Sequence, residues 1–202
     1  MRNDMSDRDR KRRRRRRRIQ VIIIYTAIAV GLAWFFESQA TTTIIFVRHA
    51  EKAAAPAGDP GLSPAGQQRV AELARQLVDA DVIRGVDAIY STPFRRTKET
   101  AQAVADALDL PVNIYDAGDT EPILESILKN HKGEIILVVA HSDTLPVLIA
   151  NLGASKRVPP IAEDEYDNIY IISIPWFGKT KTIRLRYGEP YVPDEAPEPG
   201  AA

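Results

Sequence analysis

Thr43-Ile44-Ile45-Phe46-Val47-Arg48-His49-Ala50 is an unbroken apolar run that ends on an arginine and a histidine. A strand with no polar alternation is one buried on both faces, the pattern of a sheet covered by helices on each side. The same pattern recurs in Ile135-Ile136-Leu137-Val138-Val139-Ala140-His141, so two buried strands each deliver one imidazole at the C-terminal tip. Open α/β sheets bind ligands at such tips.

Outward from Val47, a Pro/Gly-rich loop spans 53–62, and Ser63-Pro64 announces a helix with Ser63 as N-cap and Val70, Leu73, Ala74 and Leu77 on its apolar face. Short strands are expected at 86–90 and 110–115, the latter at a sheet edge. Helices are expected at 93–108, opened by Pro93, at 121–131, and at 144–152, closed by Gly153. Two further strands, 168–174 and 181–187, follow. Alternating strands and helices predict a three-layer α/β sandwich over 41–187 with a mostly parallel central sheet. The tail, 188–202, is rich in Pro, Glu and Ala and is expected to be disordered.

The N-terminal 40 residues differ in kind. Residues 1–18 hold 11 Lys/Arg and 3 Asp/Glu, and 19–36 (IQVIIIYTAIAVGLAWFF) hold no charge. Alone, the arginine run would suit nucleic acid; beside an uncharged segment of bilayer-spanning length it becomes a topology signal for a transmembrane helix. The expectation is a basic cytoplasmic arm at 1–18, a single-pass anchor at 19–36 with Trp34, Phe35 and Phe36 as an interfacial belt, and a domain on the outer side. The alternative is export followed by cleavage after Ala40, since Ser38-Gln39-Ala40 places small residues at −3 and −1.

Composition narrows the chemistry. The chain has no cysteine and three histidines, which removes thiolate nucleophiles and disfavours a metal site; no cofactor is expected. Residues 19–202 carry 16 basic and 24 acidic residues, a net of −8 that argues against nucleic acid as a partner. His131, near Gly133, reads as the end of a helix, where a polar side chain suits the dipole.

The other two histidines have chemical neighbours. A neutral histidine is a nucleophile at one ring nitrogen when the other is held as a donor, and it can carry a phosphoryl group. Arg48 beside His49 offers a fork matched to phosphate oxygens. In Ser91-Thr92-Pro93-Phe94-Arg95-Arg96, Arg96 falls in the first turn of a helix, where a cation gains nothing from the dipole unless an anion compensates it, whereas Arg95 reads as a solvated surface residue. The turn Ala140-His141-Ser142-Asp143-Thr144 can aim the His141 imidazole, with Ser142 beside it, at the same anion. Two histidines and two arginines on one point repel one another unless a multiply charged anion lies between them.

These segments resemble the histidine phosphatase superfamily, the phosphoglycerate mutase-like family. Its Arg-His-Gly signature is similar to Arg48-His49-Ala50, its Ser-Pro-Leu-x-Arg-Ala-x-x-Thr-Ala segment to Thr92–Ala101, and its late Gly-His to Ala140-His141. The resemblance implies His49 as the phosphorylated nucleophile and Arg48, Arg96 and His141 as the phosphate pocket. Alignment on Thr100-Ala101 selects Arg96 over Arg95. Ala50 and Ala140 depart from glycine, and Ala55 stands where mutases place an asparagine, so this pocket looks less like a mutase.

The family's proton donor lies between the second and third motifs, which leaves Asp116, Asp119, Glu121 and Glu125. Asp119 is preferred as a loop residue able to reach a strand tip, although it can equally cap the helix that follows. Only one short helix fits between 110–115 and 135–140, which resembles the compact phosphatases of the family rather than its lidded members. The expected activity is hydrolysis of a phosphomonoester or protein-borne phosphate through a covalent phosphohistidine. Mutase-type transfer and non-catalytic binding of a phosphorylated ligand are the alternatives.

Overall fold

The computed structural model describes residues 2–38, 41–79, 85–154 and 158–193. Two compact units divide the chain, 1–40 and 41–202. The first is one helix, α1 (Arg2–Ser38). Ile19–Phe36 is fully uncharged, about 27 Å at 1.5 Å per residue, and the helix is long and apolar enough to cross a membrane. Cleavage after Ala40 concerns a bond outside the described residues.

The second unit contains β1 (Thr41–Arg48), α2 (Pro64–Asp79), β2 (Ala88–Ser91), α3 (Arg95–Leu108), β3 (Val112–Ile114), α4 (Thr120–Asn130), β4 (Ile135–Ala140), α5 (Thr144–Asn151), β5 (Asn168–Pro175) and β6 (Lys181–Arg186). One six-stranded sheet runs in the order β3-β2-β4-β1-β5-β6. Alternate side chains of β1 and β4 serve two cores. Ile44, Phe46, Ile136 and Val138 pack with Ile123, Leu124 and Ile127 of α4 and Leu145 and Leu148 of α5. Ile45, Val47, Leu137 and Val139 pack with Leu73 and Ala74 of α2 and Ala101 and Val104 of α3. Burial on both faces is why these strands read as continuous apolar runs.

The sheet is mixed, and this corrects the expectation of a mostly parallel one. Strands β3, β2, β4 and β1 are parallel, whereas β5 is antiparallel to β1 and β6 to β5. Only residues 176–180 join β5 to β6, too few for the crossover a parallel pair needs. The consequence reaches the site, because an antiparallel β5 brings its N-terminal end, not its C-terminal end, alongside the tip of β1.

Several local readings hold. Ser63 Oγ accepts from Gly66 N–H at 3.1 Å, as an N-cap does. His131 closes α4, with Gly133 at φ 76°, and its ring bridges the Tyr90 hydroxyl (2.8 Å) and the Glu134 carboxylate (2.6 Å), a structural role. Helix α3 starts two residues after Pro93, which lies outside it. The domain also extends past Tyr187: Arg69 donates to the Tyr187 and Glu189 carbonyls, and buried Asp167 accepts from Tyr191 N–H at 2.8 Å. The part of the expected disordered tail at 194–202 lies outside the described residues.

Candidate active site

Register assembles the site. Arg48 pairs with Ala140 across β1 and β4, and His49 N–H donates to the Ala140 carbonyl at 3.0 Å. The next residue on each strand is a histidine, so His49 and His141 stand side by side with ring centroids 5.4 Å apart. Both are buried.

His49 Nδ1 lies 2.8 Å from the carbonyl oxygen of Ala50. A carbonyl only accepts, so Nδ1 carries the proton. Burial, with the nearby charges of Arg48 and Arg96, pushes the His49 pKa down to about 3, against the pull of the carbonyl bond. The ring therefore holds one proton at neutral pH, on Nδ1, and Nε2 keeps its lone pair. Ala50 is itself fixed, since its N–H donates to Thr100 Oγ1 at 3.0 Å while that hydroxyl donates to the Arg96 carbonyl at 2.7 Å.

Arg48 is held from behind. Its Nη1 donates to the Ala162 carbonyl (2.7 Å) and the Glu165 carbonyl (2.9 Å), and its guanidinium lies 4.1 Å from the centre of the Tyr166 ring. These residues lead into β5. The Glu165 carboxylate braces the same turn by accepting from Ala162 N–H at 3.2 Å and Asn168 Nδ2 at 2.8 Å.

Arg96 is the second residue of α3, and its side chain is 18% exposed where Arg95 is 53% exposed and paired with Glu99. The anion its position called for is Asp59, which caps α3 by accepting from Arg95 N–H at 2.9 Å and stands 3.9 Å from Arg96 Nη1. Buried Nε atoms of Arg48 and Arg96 have no hydrogen-bond partner in the protein, so each guanidinium keeps donor capacity for a ligand.

His141 Nε2 lies 3.0 Å from Thr92 Oγ1, which is also 2.8 Å from Thr97 Oγ1. Burial first, then the charge of Arg96, lowers the His141 pKa to about 4, so this ring too is neutral in the empty site. Arg48, His49, Arg96, His141 and Ser142 all line one cavity of about 970 Å³, with Lys52, Ala53, Ala54 and the 56–60 loop as its rim.

Asp119 is not brought to the cavity. It is the exposed N-cap residue of α4, although its side chain makes no capping bond, and Asp116, Glu121 and Glu125 do not line the cavity either. The carboxylates that do are Asp143, which accepts from Thr144 N–H at 2.9 Å, and Glu163, 3.4 Å from Lys52. Sequence reasoning missed Thr92, Tyr166 and the Ala162–Glu165 turn. Thr92, the first residue of a motif, carried a signal; the backbone carbonyls that hold Arg48 carried none. Among the described residues no cluster of His, Asp and Glu is arranged to hold a metal ion.

Residues 44–117 match the family model of the histidine phosphatase superfamily, branch 1. No curated protein matches the chain. Among solved structures, the protein histidine phosphatase SixA complexed with tungstate is 20% identical, with 71% of this chain and 96% of that one covered at a TM-score of 0.59. A mycobacterial glucosyl-3-phosphoglycerate phosphatase with inorganic phosphate is 13% identical over 73% of this chain and 97% of its own, TM-score 0.56. Phosphoserine phosphatase from Entamoeba histolytica, in complex with 3-phosphoglyceric acid, is 18% identical over 73% and 97%, TM-score 0.52. At these identities the likeness is one of fold.

Proposed function

We propose that the chain is a membrane-anchored phosphohydrolase that cleaves phosphomonoesters, or protein-borne phosphoryl groups, through a phosphohistidine at His49. The observation that carries this reading is the His49 ring itself: Nδ1–H is committed to the Ala50 carbonyl, and Nε2 is left with its lone pair inside a cavity that Arg48, Arg96 and His141 also line. A phosphoryl dianion bound there would accept from the free guanidinium donors and from the His141 ring, which offset the charge developing on the equatorial oxygens.

Attack by Nε2 forms a P–N bond as the P–O bond breaks, and the departing oxygen takes a proton from a carboxylic acid of the cavity wall, Asp143 or Glu163 in place of Asp119. Water then attacks phosphorus and gives a proton back to that carboxylate, the P–N bond breaks, and inorganic phosphate leaves. A cavity of this size admits bulky substrates and water alike, which favours hydrolysis over mutase transfer, as does Ala55. Arg10–Arg18 and the uncharged 19–36 segment support anchoring with the N-terminus cytoplasmic and the domain outside.

The test is turnover of an aryl phosphate by the full chain in detergent, with and without His49→Ala. Loss of hydrolysis in the variant, and an acid-labile phosphate on wild-type protein denatured at neutral pH during turnover, is the expected result. A variant with wild-type kcat sinks the covalent mechanism.

A further inference from the structure

The β5–β6 hairpin ends in Pro175-Trp176-Phe177-Gly178-Lys179, and its two aromatic side chains are 76% and 91% exposed. Adjacent large aromatics this open to water mark a surface that meets something else. Lys179 and Lys181 follow them at the tip, and 175–188 holds no acidic residue, in a domain that is otherwise acidic. Exposed aromatics flanked by basic residues are the composition of a segment that lies at a phospholipid interface, with rings at the level of the acyl boundary and cations at the phosphates.

The sheet register says which surface this is. Pro175 pairs with Thr41, so the hairpin tip stands at the end of the sheet where the chain enters the domain. In the sequence only residues 37–40 separate Thr41 from Phe36, the last residue of the uncharged segment. His49 follows the opposite end of β1, about 23 Å along the strand at 3.3 Å per residue.

We propose that Trp176 and Phe177 insert into a membrane interface, with Lys179 and Lys181 at the lipid phosphates, so that the catalytic cavity, at the other end of the sheet, faces away from the bilayer. The inference rests on the reading of 19–36 as a retained membrane span. It directs the cavity toward substrates in the aqueous space rather than lipid phosphates.

The test uses the full chain carrying Trp34→Phe, which leaves Trp176 as the sole tryptophan, reconstituted into phosphatidylcholine/phosphatidylglycerol vesicles with or without brominated acyl chains. Flotation with the vesicles reads the anchor, and fluorescence reads the tip. The expected result is a floating chain whose Trp176 emission is blue-shifted, loses most of its intensity to brominated lipid and resists aqueous acrylamide. A floating chain with Trp176 indifferent to brominated lipid overturns the inference while sparing the anchor; a chain that does not float overturns the anchor. In the same vesicles, Trp176→Ser/Phe177→Ser should keep its aryl phosphate turnover, because the cavity is at the other end of the sheet, and a collapse of turnover would overturn that separation.

Discussion

Thr92 Oγ1 stands 3.0 Å from Nε2 of His141, at the head of a hydroxyl pair completed by Thr97 Oγ1 at 2.8 Å. Thr97 also approaches the carbonyls of Thr92 and Phe94 at 3.0 and 2.8 Å, so the pair is tied to the backbone at the start of α3. This fixes the second imidazole before any ligand arrives. Thr92→Val keeps the volume but removes the partner of Nε2, and should weaken binding of inorganic phosphate or tungstate and lower kcat/KM by about tenfold, the scale of one hydrogen bond to a charged or buried group. Competitive inhibition by the two anions measures it; an unchanged inhibition constant would show that His141 needs no such brace.

Arg96→Ala should lose on the order of 3 kcal/mol of transition-state stabilisation, about a hundredfold in kcat/KM, because its guanidinium lines the cavity with an unpartnered Nε. Arg95→Ala removes an exposed i,i+4 pair with Glu99 and should cost little. Equal losses at the two positions would reverse the assignment.

The two imidazoles couple stability to pH. Their ordinary pKa is 6.5, and in the folded protein burial holds His49 at about 3 and His141 at about 4. Between these limits the unfolded chain binds more protons than the folded one, so stability rises with pH through that window: it is whole above 6.5 and falls as the pH drops toward 3. Denaturant midpoints of the full chain in detergent at pH 7 and at about pH 4.5 should differ accordingly, and His49→Gln and His141→Gln should each flatten the slope. Parallel slopes in wild type and both variants would mean that other groups set it.

Asp119→Asn should leave the leaving-group dependence of kcat/KM flat, since Asp119 neither lines the cavity nor makes a capping bond. Glu163→Gln and Asp143→Asn are the informative variants: the one that slows alkyl phosphates far more than aryl phosphates identifies the acid. A steep response at Asp119 would restore it as donor.

Gly66, in the first turns of α2, packs on the backbone of Glu51, and a Cβ there would overlap the Glu51 carbonyl oxygen. Gly66→Ala should cost about 1–3 kcal/mol by overpacking and displace Glu51, the neighbour of cavity-lining Lys52. A thermal midpoint equal to wild type would show that the loop shifts freely.

Much of this was legible because the decisive residues sit where chain pattern and chemistry coincide. Burial on both faces writes β1 and β4 as apolar runs, and the residues after them, His49 and His141, then fall side by side. The direction of β5 was not legible, since the alternation of a strand is the same read forward or backward. That one uncertainty hid Tyr166 and the Ala162–Glu165 turn from view. That Asp119 stands outside the cavity was not legible for a different reason: the position before a helix suits a cap and a loop acid equally, and sequence does not say how far a loop stands from a strand tip.

The hold on Arg48 has a temporal side. Its two carbonyl partners lie 114 and 117 residues further along the chain. A polypeptide still emerging from the ribosome or a translocation pore presents Arg48 and His49 early, yet the guanidinium has nothing to aim it until the Ala162–Glu165 turn has emerged and β5 has docked backwards against β1. On the mechanism proposed above, the nucleophile is thus made first and its guanidinium partner is aimed last, so an incomplete chain lacks the positioned charge that a phosphoryl group would need.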